Sequence, residues 1–410
     1  MKADSNPIGQ KNLTTIKWLT FLMFMMFAMS TDAVGVIIPE VMKQFNLSLT
    51  SAGLMHYTPM IAIAFSGILL GFLADRIGRK KTIIIGLALY AINSYLFIAG
   101  NSFAFFLSLM IIAGIAIGIF KTGALALIGD ISKSTVAHTS TMNTVEGFFG
   151  VGAIIGPFIV SYFLSVGVDW KFLYVVVGTL CVILIIMSLL IKYPVTIKPA
   201  KETVSLKSAL ALVKDPYALG FSIAIFLYVA VECAIYVWMP TLIKGYEGGI
   251  VFLTTYALSI FFLLRAAGRF LGSWLMAKFN WAVVLSIFCF LILVCFIGSV
   301  LGGIGLAVIL LPLSGLFMSV VYPTLNSKGI SCFPKAKHGS IAGIILFFTA
   351  AGTALGPLAM GAVSDLFGHN VKYGFVLATV FAGLLFLCVL FNMLFNPTKQ
   401  RLMKLDESEY

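Results

Sequence analysis

Phe226-Leu-Tyr-Val-Ala-Val-Glu232-Cys-Ala-Ile-Tyr-Val-Trp-Met-Pro-Thr241 sets a carboxylate near the middle of an apolar run long enough to cross a bilayer. An ionisable group at that depth costs about 2.5 to 3.5 kcal/mol on insertion scales, so it persists where it faces a cavity or a partner. Tyr228, Tyr236 and Trp238 accompany Glu232 at helical spacing. The first hydrophobic run carries a counterpart: Ser30-Thr31-Asp32-Ala33 puts a second carboxylate at mid-span, 200 residues earlier. The same offset relates Gly152 to Gly352 and Gly156-Pro157 to Gly356-Pro357, and Pro39 and Pro240 close the two acidic runs nearly in register. The chain reads as a duplicated half.

Composition sets the class. With 60% hydrophobic and 10% charged residues among 410 and a mean hydropathy of +1.07, the chain cannot cover itself with polar side chains as a soluble domain does. Twelve apolar runs follow, near 17–38, 51–74, 82–100, 103–128, 140–165, 171–191, 218–242, 250–276, 281–300, 304–326, 339–364 and 373–395. The expected fold is therefore an all-α membrane protein of twelve transmembrane helices in two pseudo-symmetric six-helix bundles, residues 1–192 and 217–410, the second ending in a cytoplasmic tail. Residues 193–216 form the only long polar stretch between spans, a cytoplasmic linker in which Leu206, Leu210 and Val213 predict a short surface helix.

A net charge of +12 does not point to nucleic acid, because the basic residues sit in short loops between spans. Lys2, Lys11, Lys17, Arg76, Arg79, Lys80, Lys81, Lys192, Lys198, Lys201, Lys207, Lys214, Lys328, Lys335, Lys337, Lys399, Arg401 and Lys404 fall on one side, against Lys43, Lys171, Lys244 and Lys372 on the other. The positive-inside bias places both termini in the cytoplasm, and an even span count agrees. The six cysteines lack metal-ligand spacing, so neither a disulfide nor a metal site is expected. No cleavable signal is evident at the N-terminus. Trp18, Trp170, Trp274 and Trp281 lie at span boundaries and read as interfacial belt residues.

The second loop reads Gly71-Phe-Leu-Ala-Asp75-Arg76-Ile-Gly78-Arg79-Lys80-Lys81, and it resembles the loop signature of the major facilitator superfamily. Gly71 permits close helix approach, Asp75 can accept from helix N-termini or arginines, and Arg76, Arg79 and Lys80 anchor the cytoplasmic end. This loop, Gly78 included, is the candidate gate. The equivalent place in the second half, Gly268-Arg269-Phe-Leu-Gly272-Ser-Trp-Leu275, lacks the aspartate. Three further segments resemble the fucose, glucose and galactose proton-symporter family: Asn143 to Pro157, Phe226 to Thr241 and Ser319 to Leu325. The resemblance implies a hexose site between the halves and membrane carboxylates that carry a coupling proton. One departure stands out: where those symporters have an acidic residue in the fourth span, this chain has Lys121.

The candidate coupling residues are Asp32, Lys121, Glu146 and Glu232. Candidate solute contacts are Asp32, Lys121, Asn143, Tyr228, Glu232, Tyr236, Trp238, Tyr322 and Asn326, with Tyr322 lying 201 residues after Lys121 as its approximate repeat mate. Each has a plainer alternative. Asp32 and Lys121 could form a fixed ion pair, Glu232 a packing hydrogen bond, Glu146 a structural contact, and Tyr236 and Trp238 an aromatic belt; His56 reads as hydrated or capped rather than as a relay. The leading expectation is a monomeric secondary transporter of the bacterial cytoplasmic (inner) membrane that imports a hexose-like small solute with a proton, with no cofactor and no enzyme chemistry. Asp32 followed by Ala-Val-Gly-Val-Ile-Ile-Pro39 also resembles the first span of proton-driven drug or metabolite exporters. Taken at face value, Lys121 suggests a third solute class, a sugar acid or another organic anion.

Overall fold

A computed structural model describes residues 10–47, 49–195, 206–243, 245–249, 251–368 and 370–409. Of the basic residues that orient the chain, Lys2, Lys198, Lys201 and Lys244 lie outside the described residues, as does the 196–205 portion of the linker. With no water in a bilayer core to satisfy backbone groups, each run must close its own hydrogen bonds, and it does so as helix. The first span is α1 (Gln10–Thr31) and α2 (Val34–Phe45), broken at Asp32-Ala33; the second is α3 (Leu49–Leu70) and α4 (Leu73–Arg76), broken at Gly71-Phe72. There follow α5 (Arg79–Leu96), α6 (Phe103–Ile131), α7 (Thr135–Ser165), α8 (Phe172–Leu190) and the short α9 (Leu206–Ala211). Then come α10 (Pro216–Ile243), α11 (Val251–Lys278) and α12 (Trp281–Leu301). The tenth span is α13 (Gly303–Met318) with α14 (Val321–Ser331); α15 (His338–Leu366), α16 (Val371–Phe395) and the tail helix α17 (Lys399–Glu409) complete the chain.

Eleven of these helical runs are long and apolar enough to cross a membrane by themselves. The twelfth is α5, whose first turn carries Arg79-Lys80-Lys81 before an apolar remainder. The fold is thus all-α with twelve spans, and among the described residues there is no strand. Helix ends follow local chemistry. Ser102 caps α6 by accepting from Phe105 N at 3.2 Å, and Asn280 and Asn370 cap α12 and α16 at 2.9 and 3.0 Å. Asn46 and Asn396 close α2 and α16 in the left-handed conformation. In the linker, α9 runs into one 3-10 turn, Leu212–Lys214. Asp215 then accepts from Tyr217 N at 2.9 Å while Pro216 opens α10, a favoured N-terminal pairing.

The packing divides into two compact units. One comprises Met1–Ser132, Val151–Leu206 and Lys335–Gly343; the other comprises Lys133–Gly150, Lys207–Pro334 and Ile344–Tyr410. In the first unit α6 packs on α3 and α5, and α8 packs on α5 and α1. Phe24, Phe27, Tyr90 and Phe120 fill its centre. Trp170 departs from its expected place at an interface: it is 3% exposed and packs edge-on against Phe106 and Phe97. The start of α8 turns it inward, whereas Trp18 and Trp274 are exposed. In the second unit α13 packs on α11 and α12, and α16 on α10 and α12.

The sequence repeat reappears as a packing repeat, once in each unit. In the first, Gly152 and Gly156 of α7 lie so close to α1 that an added Cβ would collide with the carbonyls of Met25 and Met29. In the second, a Cβ on Gly352 or Gly356 of α15 would meet Phe226 O at 2.8 Å or Ala230 Cα at 2.7 Å on α10. The glycines let helix backbones touch.

Candidate functional site

The second unit holds a cluster of charged and polar side chains inside its apolar helices. Tyr228, Glu232 and Tyr236 stand on one face of α10 at successive turns. Glu232 is 6% exposed and Tyr228 fully buried. The break between α13 and α14 leaves the Met318 carbonyl without its next turn, and Tyr228 Oη lies 2.9 Å from it. The same hydroxyl is within hydrogen-bond reach of Glu232 Oε1, so it donates to one acceptor or the other. Arg265 of α11 reaches Glu232 Oε1 through Nη2 at 2.7 Å. One turn further along α11, Arg269 Nη2 lies 3.2 Å from Glu146 Oε2 and its Nη1 donates to Glu146 O at 2.7 Å. Two glutamates and two arginines form neighbouring ion pairs with no net charge, buried at Glu146, Glu232 and Arg269 and half-buried at Arg265. In such surroundings, removing one partner strands the other, at about 3–5 kcal/mol.

Uncommitted polar groups belong to the same unit. Asn326 Nδ2 donates to Tyr322 Oη at 3.2 Å, while Asn326 Oδ1 and Thr324 Oγ1 have no hydrogen-bond partner among the described residues. Asn143 Nδ2 donates to Thr139 O at 3.0 Å, and its Oδ1, likewise unpartnered, lies 2.6 Å from where a Cβ on Gly272 would be. Tyr236 Oη contacts Cys233 Sγ at 2.5 Å and its ring stacks on Phe262. Trp238 Nε1 donates to Pro357 O on α15 at 3.2 Å.

In the first unit, Asp32 is exposed at the α1–α2 break and accepts from Thr31 Oγ1 at 2.9 Å. Its repeat mate Glu232 sits in an unbroken helix, so the two carboxylates differ in setting. Lys121 is half-buried on α6 beside the buried Thr122 and Gly123. His56 lines a small cavity of about 20 Å³ with Ser30, Thr31 and Tyr90.

The candidate gate forms a knot inside the first unit. Asp75 accepts from Gly339 N at 2.9 Å, Ser340 N at 2.8 Å and Ser340 Oγ at 2.7 Å, capping the start of α15, and from Arg79 Nη1 at 2.5 Å. Arg79, 1% exposed, also donates to Asp130 Oδ2 at 2.9 Å and to Lys335 O at 2.6 Å. Gly71 lies against the Gly343 backbone, where a Cβ would come to 3.0 Å. Gly78 takes φ +97°, open to glycine, and Arg76 is exposed. Lys80 Nζ donates to Leu189 O and Ile191 O at 3.2 and 2.8 Å, closing the end of α8.

Sequence reasoning missed Arg265, Asp130 and Ser340. Arg265 was findable: a cation inside the apolar run of α11 carries the same signal as Glu232 in α10. Arg269 belongs to the body of α11 rather than to a loop.

These features define a polytopic helical membrane protein built from a repeated unit, with buried ionisable side chains held in pairs. The chain belongs to the Major Facilitator Superfamily, whose sequence model matches residues 20–357. It is 26% identical over 428 residues to the L-fucose-proton symporter of Escherichia coli, covering 93% of this chain and 94% of that one. It is 25% identical over 391 residues to a glucose/galactose transporter of Brucella abortus, covering 90% and 93%. The crystal structure of the transporter FucP in its outward conformation superposes with a TM-score of 0.79 at 20% identity, over 93% of this chain and 99% of that one. That of the human organic anion transporter MFSD10 does so at 0.72 and 16% identity, over 93% and 99%.

Proposed function

We propose that this chain is a secondary active transporter of a hexose-like sugar, driven by proton symport through alternating access. The observation that carries the reading is the Glu232–Arg265 pair with Tyr228, in a unit that also carries the aromatic and amide groups of Tyr236, Trp238, Tyr322 and Asn326. A carboxylate that takes a proton releases its arginine, so solute and proton can each bias one two-state contact. Asp32 would serve as the first unit's carboxylate. The resemblance to a fucose-proton symporter and a glucose/galactose transporter across nine-tenths of the chain supports a sugar as cargo. One proton moved through about 100 mV supplies about 2.3 kcal/mol, enough for about 40-fold accumulation. The proposed location is the bacterial cytoplasmic membrane, with both termini inside.

A second reading rests on Lys121, an ammonium half-buried in a span: the solute would be a sugar acid or other organic anion. Uptake of labelled fucose, glucose, galactose and a sugar acid into right-side-out and inverted vesicles, with and without a pH gradient, separates the readings. Gradient-driven accumulation of a neutral hexose in right-side-out vesicles supports the first. Accumulation of the acid alone supports the second, and transport of none of the four removes both.

A further inference from the structure

We propose that the second unit carries a binding site for an anionic phospholipid, at the end where α10 and α12 begin and α16 ends. The site is an apolar cavity of about 600 Å³ whose walls include Tyr217, Gly220, Phe221, Trp281, Leu387 and Phe391. Its volume is in the range of ligand pockets rather than of packing voids. Gly220 keeps it open, because nothing lies within 4 Å of where its Cβ would be. Leu387 and Phe391 are 58% and 55% exposed. In a membrane-spanning helix such apolar side chains face hydrocarbon, so the cavity has a lipid-side wall and suits an acyl chain.

The rim supplies the charge that selects the headgroup. Exposed Lys214 lies two residues before Pro216 and exposed Lys399 follows Thr398; Pro216 and Thr398 both line the cavity. Two more cations back its aromatic walls: the Arg401 guanidinium sits 4.4 Å from the Tyr217 ring centre and Lys328 Nζ 5.6 Å from that of Trp281. Two acids lie near these cations: Asp215 is already engaged by Arg401 at 3.2 Å, and Asp406, which acts on Lys328, accepts from Thr135 N and Oγ1. An acyl chain in the cavity would therefore bring its phosphate toward two exposed lysines, an arrangement that favours anionic over zwitterionic headgroups. This site shares no residue with the Glu232 cluster.

The test uses the purified full chain in detergent, with dioleoyl phosphatidylglycerol, dioleoyl phosphatidylcholine and inorganic phosphate as probes. Native mass spectrometry should show phosphatidylglycerol retained about tenfold more tightly than phosphatidylcholine. Gly220→Leu, which places a side chain in the empty space, should erase that retention; Lys214→Glu with Lys399→Glu should erase the headgroup preference alone. Cys388 lines the same cavity, so its maleimide labelling should slow with phosphatidylglycerol and not with phosphatidylcholine or phosphate, a readout independent of whether the variants fold. Equal retention of the two lipids by the unmodified chain overturns the proposal. So does protection of Cys388 by inorganic phosphate.

Discussion

Glu232 Oε1 lies 2.7 Å from Arg265 Nη2, in a unit where a second glutamate, Glu146, meets a second arginine one turn along the same helix. The pair is charge-balanced only while both members stay ionised, which makes its members interdependent. Glu232→Gln and Arg265→Gln should each lower stability by about 3–5 kcal/mol, and the double change by clearly less than the sum. Thermal unfolding of the four proteins in one detergent gives the coupling energy. Additive losses would mean that the two side chains do not share their charge.

If Glu232 carries the coupling proton, Glu232→Gln should stop gradient-driven accumulation while solute exchange without a gradient continues. Counterflow in proteoliposomes measures the second quantity separately from the first. Loss of both together would assign Glu232 to solute binding or to folding rather than to coupling. The same comparison on Asp32→Asn tests whether the exposed carboxylate at the α1–α2 break has the equivalent duty.

The packing repeat predicts paired lesions. Gly156→Leu and Gly356→Leu place side chains onto the α1 and α10 backbones, and overpacking there should cost about 1–3 kcal/mol or prevent insertion. Gly305→Ala, with nothing within 4 Å of the new Cβ, is the matched control and should change the yield of monodisperse protein little. Fluorescence-detected size exclusion reads all three.

What could be read from the chain beforehand follows the same logic. Spans, the repeat and the glycine pairs were legible because each leaves a local mark: an apolar run of fixed length, a fixed offset, a small residue on a helix face. Tyr228 and Glu232, one turn apart, were legible as neighbours for the same reason. Arg265 was not chosen as the partner of Glu232, although its own burial signal was present, because which helices adjoin is a tertiary fact. Asp130 was hidden for another reason. It sits at a span end, where a carboxylate normally meets water, and only the fold brings Arg79 to it at 2.9 Å. Trp170 was misplaced because a boundary position in sequence does not say which way a helix end turns.

Asp75 accepts three hydrogen bonds from the start of α15 in addition to the one from Arg79. Asp75→Asn keeps the shape but removes the charge that Arg79 and the helix N-terminus both favour, and should cost about 2–3 kcal/mol. Ser340→Ala removes one of the four bonds and should cost about 1 kcal/mol. The ordering of the two, read from unfolding midpoints, checks that the carboxylate rather than the hydroxyl holds the knot together.

The tail helix gives a measurement at the opposite extreme of accessibility. Cys332 follows α14, is fully buried, and burial pushes its thiol up to about 12 against the smaller pull of Arg401 and Lys328. Arg401 Nε donates to Cys332 O at 2.6 Å, and Asp406 of the same helix caps α7 through Thr135 N and Oγ1 at 2.9 and 3.0 Å. At pH 8 a thiol with that pKa is ionised to about one part in ten thousand, so maleimide should label Cys388 and leave Cys332 untouched. Arg401→Ala should loosen the tail and expose Cys332, with labelling that quickens as pH rises because the reactive species is the thiolate. The linkage has a definite sign: a raised thiol pKa stabilises the fold fully below the unfolded value near 9.0, and that contribution is lost as pH climbs toward about 12. Cys332→Ala should therefore flatten the decline of the unfolding midpoint above about pH 9. An unchanged slope would show that the thiol ionises as readily in the fold as in the open chain.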